Sequence, residues 1–215
     1  DMTNVDAIGD ITIDADDNVT ITTGANSLAT VGDIHVTTIT GATVALGTIG
    51  AGSAVMGDIT HVGLGTLTIT TGAALSVGAV TGGAGATTVV LSDSTTIGTV
   101  LTGGAGADTF TGTGGADTFT FGSADVMDGN SGVDTFTAAA AVTSATITGG
   151  AGADTVTFSG AINTATIIDA DGISVTGGTG IDTITLADTS MATVTVDGGA
   201  GVDVVSVAAG AHVAT

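Results

Sequence analysis

The chain has 215 residues with no Lys, Arg, Glu, Gln, Pro, Cys, Trp or Tyr, and its 21 acidic side chains, all Asp, give a formal charge of −21. Lacking basic groups, it is not built to grip nucleic-acid phosphates or an anionic membrane surface. Lacking cysteine, it has no disulfides or thiolate metal sites, and no apolar run approaches the ~18 residues of a spanning helix, so no membrane insertion is expected.

The straight-chain helix formers are nearly all missing while Thr, Val, Ile and Gly dominate, which points to an all-β chain. With 43% hydrophobic residues but only five Phe as aromatics, the core must be narrow and mostly aliphatic. A disordered acidic chain is opposed by the mean hydropathy of +0.62 and by regular apolar alternation. Unopposed aspartates repel one another in any compact state, and divalent cations are the natural remedy.

Residues 1–81 carry a weak rhythm. Gly9-Asp10-Ile11 recurs as Gly32-Asp33-Ile34 and Gly57-Asp58-Ile59, each opening an alternating run such as DITID or DIHVTTI. The cluster DADDN at 14–18 resembles the start of an EF-hand loop, but Val19 stands where that loop requires Gly and no Glu follows, so an EF-hand is rejected. Solvated Asx turns are the simpler reading there and at Asp169/Asp171, with a peripheral calcium site as the alternative. Asn18-Val19-Thr20 meets the sequon rule. His35 and His61 fall at nearly equivalent places of successive repeats and read as solvated strand or turn residues rather than a metal pair. His212 stands apart.

From residue 82 onward a nine-residue phrase appears, G-G-x-G-x-D-x-apolar-x. Gly82–Val90 keeps the glycines but has Thr87 for Asp, so that turn is expected to lack its carboxylate. Strict copies carry Gly103, Gly104, Gly106 and Asp108; Gly149, Gly150, Gly152 and Asp154; Gly177, Gly178, Gly180 and Asp182; and Gly198, Gly199, Gly201 and Asp203. Variants carry Gly112, Gly114 and Asp117, and Gly129 and Asp134, the latter preceded by Asp128. The glycines let carbonyl oxygens turn toward a common point, and the Asp adds a carboxylate. Oxygen donors alone suit a hard cation, Ca²⁺ before Mg²⁺. The last three residues then launch a strand with one apolar side chain inward: Phe110, Phe119, Phe136, Val156, Ile184 and Val205, expected to stack as one ladder.

First glycines at 9, 32, 57, 82, 103, 129, 149, 177 and 198 recur with a mean interval of about 24 residues, the signature of a solenoid. About nine coils follow, degenerate over 1–81 and phrase-bearing over 82–215, continuous with one another. Calcium turns are expected on one edge, with an extra site or two opposite near 112–137.

The phrase resembles the RTX nonapeptide repeat of secreted bacterial proteins. That resemblance implies a right-handed parallel β-solenoid, or β-roll, with Ca²⁺ between successive turns and the residues above as its site. The Thr-, Ala- and Gly-rich composition resembles, more weakly, calcium-dependent bacterial S-layer proteins. No nucleophile elbow, HExxH, Lys base or Arg clamp appears, and a non-enzymatic role is expected. The reading is a structural extracellular calcium-binding protein at the bacterial cell surface, forming or belonging to a surface layer, matrix filament or adhesin. Its partner is itself, or the flanking solenoid of a longer chain, because neither end offers an obvious cap. The alternative is an ice-binding solenoid, suggested by outward T-x-T pairs such as Thr118/Thr120 and Thr155/Thr157.

Overall fold

The computed structural model describes residues 7–14, 19–22, 30–37, 41–45, 54–70, 75–91, 98–160, 162–169, 171–187 and 193–208. The DADDN positions after Asp14, with them the sequon's Asn18, and His212 and the turn at 188–192 lie outside them. Among the described residues there are 24 short strands and no helix. Every pairing is parallel. Two ten-stranded sheets run the length of the molecule, and a third, of four strands, covers the first coils only.

The architecture is a parallel β-solenoid. Face A begins at Ile11–Ile13 and ends at Val194–Asp197; face B begins at Val19–Thr22 and ends at Val204–Val207. The short third sheet joins Ala7–Ile8, Thr30–Val31, Ala54–Met56 and Leu75–Val77. Ten strands on each face make ten levels, one more than the first glycines suggest. Those glycines overestimate the repeat because the phrases change edge. Gly103 and Gly177 lie where the chain passes from face A to face B, Gly129 and Gly149 where it passes back. Counted on a single edge, equivalent residues lie 23 and 25 apart at first and 17 to 21 apart later.

The core is a ladder of inward residues two positions apart on each strand. On face A, Ile59, Val80, Leu101, Phe119, Phe136, Val156 and Val175 follow one another in register, all buried. On face B the sequence is Ile69, Val89, Phe110, Met127, Ile147, Ile167 and Leu186. The single ladder expected from the phrases is therefore two ladders. Phe119 and Phe136 stack on face A with ring centroids 4.6 Å apart and 12° between planes, while Phe110 belongs to face B. Val205, expected inward, is 43% exposed, since its strand is the last of face B among the described residues and has a neighbour on one side only.

Candidate metal centre

At the A-to-B edge the inward position that follows the strand is taken in turn by Gly82, Gly103, Phe121, Ala138, Phe158, Gly177 and Gly198. Where the turn lacks the phrase's first glycine a side chain fills that place. Phe121 and Phe158 meet edge-on, 5.9 Å between centroids, across the small Ala138. At the B-to-A edge the same position holds Leu91, Gly112, Gly129, Gly149 and Asp169. A first glycine thus leaves a hole in the wall, and the carboxylates turn into it. A Cβ on Gly103 would lie 2.8 Å from Asp125 Oδ2 and 3.2 Å from Asp108 Oδ2. On Gly177 it would sit 2.7 Å from Asp182 Oδ2, and on Gly149 it would meet both Asp154 Oδ2 and Asp169 Oδ2.

Each carboxylate is aimed by the coil before it. The amides of Thr87, Asp108, Asp117, Asp134 and Asp182 donate to Oδ1 of Asp108, Asp125, Asp134, Asp154 and Asp203, at 2.7 to 3.0 Å. That fixes Oδ1 outside the hole and leaves Oδ2 facing it. Backbone carbonyls line the same stacks: a Cβ on Gly112 would lie 3.1 Å from Gly129 O, and one on Gly177 would touch Gly198 O. One or two carboxylates per level with glycine carbonyls between levels is an all-oxygen set, the chemistry of calcium. No group of three or more His, Asp, Glu or Cys side chains gathers among the described residues, so backbone oxygens must supply the larger share of any shell.

The turns occur in two conformations, and the second residue of the phrase decides between them. In the 103, 112 and 177 turns the amides of Gly104, Thr113 and Gly178 donate to Oδ2 of Asp108, Asp117 and Asp182 at 2.6 to 2.7 Å. In the 129, 149 and 198 turns the second residue is left-handed, Asn130 at φ 70°, Gly150 at 103° and Gly199 at 81°. Glycine reaches this region without strain and Asn is tolerated there. Its amide then turns away, that of Asn130 to Asp128 Oδ1 and that of Gly199 to Asp197 Oδ1. As a result Oδ2 of Asp134 and of Asp154 is buried with no hydrogen-bond partner, as is Oδ2 of Asp169. Burial pushes Asp134 up to about 7 against the hydrogen bond from the Asp117 amide, and the charges of Asp154, Asp117 and Asp128 add to it. Burial likewise pushes Asp154 up to about 6, with the neighbouring charge of Asp169 adding. Buried anions without donors call for a cation.

A family model for the RTX calcium-binding nonapeptide repeat matches residues 98–123 and 146–164, with four copies. The chain carries RTX calcium-binding repeats. They bind Ca²⁺, and repeats of this kind in a β-solenoid mark a structural calcium-binding protein. Such repeats are typical of secreted bacterial proteins and typically non-catalytic. No curated protein and no solved structure matches the chain. Among the described residues no helix is long and apolar enough to cross a membrane.

The phrase-bearing turns occupy both edges rather than mainly one: 103–108, 177–182 and 198–203 on the A-to-B edge, 112–117, 129–134 and 149–154 on the other. Asp125 and Asp169 turn into glycine holes without belonging to any phrase. The signal for Asp125 was faint, a lone Gly122-Ser-Ala-Asp whose amide at Gly122 donates to its Oδ2 at 2.6 Å. Burial raises the pKa of Asp125 as it does that of Asp117. Asp128 instead caps the following turn through Asn130.

Two further sequence readings change. His35 pairs with Thr60, and His61 with Val36, so the two imidazoles point to opposite sides of face A. His61 is buried, not solvated, 1% exposed, its Nδ1 2.8 Å from Thr87 Oγ1. Burial lowers its pKa, offset in part by the charge of Asp108. Over residues 1–81 the aspartate ladder exists but runs the other way. Asp10, Asp33 and Asp58 accept the amides of Asp33, Asp58 and Ala79 from the next coil, at the exposed corner before face A.

Proposed function

We propose that this is a structural protein whose solenoid is ordered by calcium and which acts outside the bacterial cell, as a subunit or segment of a surface layer, matrix filament or adhesin. The observation that carries the reading is the set of inward Asp Oδ2 atoms standing in the glycine holes of stacked turns, three of them buried without a partner. Asp134, Asp154, Asp108, Asp182 and Asp203, with turn carbonyls from adjacent levels, would hold the ions; Asp117, capped by both the amide and the hydroxyl of Thr113, needs one less than Asp134 or Asp154 does. Calcium supplies the positive charge that a chain without Lys or Arg cannot. Because the assembled site is absent from the unfolded chain, binding energy is folding energy. Self-association is favoured by the same ion, which screens 21 aspartates that otherwise repel between neighbouring molecules. Thermal melting and negative-stain microscopy of the purified chain test both halves. Millimolar calcium should raise the melting temperature well above that in excess chelator and yield filaments or sheets. Equal melting would sink the calcium-ordered reading, and a monomer at high concentration the assembly.

A second reading rests on the register. Variable coil length is absorbed in the turns, so Thr60, Thr81, Thr102, Thr120, Thr137, Thr157 and Thr176 form one unbroken outward column on face A. Thr118, Thr135, Thr155, Ser174 and Thr195 form a second beside it. Hydroxyls and methyls then repeat at roughly 4.8 Å between levels and about 6.7 Å along each strand, an array that an ordered water layer can match. Thermal hysteresis of the calcium-loaded chain is the expected outcome of an ice-binding role, and its absence removes this alternative.

A further inference from the structure

The B-to-A edge ends differently from the way it begins. After Gly112, Gly129 and Gly149, the place of the next first glycine is taken by Asp169, within Asp169-Ala170-Asp171-Gly172, which is no RTX phrase. Its side chain turns inward, 1% exposed, and its Oδ2 enters the hole above Gly149 beside Oδ2 of Asp154, itself 2% exposed. Oδ1 of Asp169 is already committed, accepting the amides of Asp171 at 2.8 Å and Gly172 at 2.9 Å. Oδ1 of Asp154 is committed to the amide of Asp134 at 2.8 Å. Both remaining oxygens are buried and unpartnered. Two carboxylate oxygens face each other in one hole, and the sequence has no Lys or Arg to separate them.

We infer that Asp154 and Asp169 form a two-carboxylate calcium site over Gly149, outside the nonapeptide pattern on one side, which binds the ion most tightly and fills first. The inference rests on the calcium reading above and adds a ligand and an order of filling. Affinity for calcium rises with the number of charged ligands in a site. In the Asp134 hole over Gly129 the nearest oxygens are Asp134 Oδ2 and Gly149 O of the next level, one carboxylate and one carbonyl. The Asp108 hole does face a second carboxylate, Asp125, but there both Oδ2 atoms already accept amides, from Gly104 and Gly122. Over Gly149, by contrast, the oxygens nearest the glycine are two carboxylate Oδ2 atoms that are both buried and open.

Asp169→Asn is the test. It keeps the Oδ1 acceptor for the Asp171 and Gly172 amides and removes only the inward charge, so the turn is retained. Asp33→Asn serves as control: it removes one charge from an exposed aspartate and keeps the Oδ1 acceptor for the Asp58 amide. Calcium titration by calorimetry, with ions counted by native mass spectrometry, should show the tightest site of the wild-type chain weakened about tenfold or more in Asp169→Asn and unchanged in Asp33→Asn. In the wild-type chain a single equivalent of calcium should slow amide exchange over 149–173 before it does so over 103–125 or 177–203. Equal affinities and ion counts in all three proteins, or first protection elsewhere, would overturn the inference while leaving calcium binding intact. No calcium binding by the wild-type chain would overturn the calcium reading itself, and this site with it.

Discussion

Asp117 and Asp134 hold the same place in successive turns of one edge, yet one has donors at both carboxylate oxygens and the other at Oδ1 only. The difference lies four residues upstream. Thr113 presents its amide and hydroxyl to Asp117, whereas Asn130, left-handed, gives its amide to Asp128 and leaves Oδ2 of Asp134 with nothing. That contrast was not legible in the sequence, where Thr and Asn read only as lapses from Gly. It has a consequence for pH. In excess chelator the folded chain holds protons on Asp134 and Asp154 up to about 7 and about 6, while the unfolded chain has released them near the ordinary carboxylate value of 3.8. The unfolded state therefore binds fewer protons between those limits, and stability falls as pH rises through them. The melting temperature in chelator is expected to drop from about pH 5 to about pH 7.5, against the usual acid lability of a carboxylate-rich protein. His61, shifted down by burial, works the other way below 6.5, as one residue against several. Saturating calcium should abolish the decline, since protons then compete with the ion. A flat chelator profile would show that the buried oxygens are relieved in some other way.

At the scale of strands and turns, much was readable. A period above 20 residues with alternating Thr and apolar positions can bury one face per strand only by stacking, and the phrase Asp followed by T-F-T places Phe119 and Phe136 inward without further information. The edge at which each turn lies could not be read, because a phrase encodes the shape of a corner and not its location. The number of residues on each side of the corner decides that, and the chain passes from Thr135–Ala138 to Ala145–Thr148, and from Asp154–Thr157 to Thr164–Ile168, without any phrase between. The register of His35 was lost in the same way: one residue between the two imidazoles turns neighbours into opposites. The stacked pair on face A sets a second expectation. Phe136 is fully buried, stacked on Phe119 and in register with Val156. Phe136→Ala should cost roughly 3–5 kcal/mol, the range for emptying a packed aromatic site. Calcium-loaded chain in urea would show it as a fall in midpoint. A change below about 1 kcal/mol would mean that the adjoining levels collapse into the gap, as a stack with few lateral constraints can.

Over the whole molecule the two faces are continuous but the demand for cations is not. Among the described residues the three buried side-chain oxygens without partners belong to Asp134, Asp154 and Asp169, all on one edge and within three successive levels. The exposed ladder of Asp10, Asp33 and Asp58, by contrast, needs no ion to satisfy it, for each carboxylate takes an amide from the next coil at an exposed corner. In a solenoid each level contacts only its neighbours, so stability is close to a sum of local terms and a weak stretch can open without the rest. Removal of calcium should then loosen the middle of the rod first. Hydrogen exchange in chelator is expected to accelerate most over 129–173, less over 103–125, where Asp108 and Asp125 are capped by amides, and least over 54–70. With calcium restored, the middle should become the slowest stretch, because ions bridging adjacent levels add to strand pairing there. Uniform acceleration along the chain would instead show that the levels melt as one unit, and that the ions stabilise the rod as a whole rather than the levels that hold them.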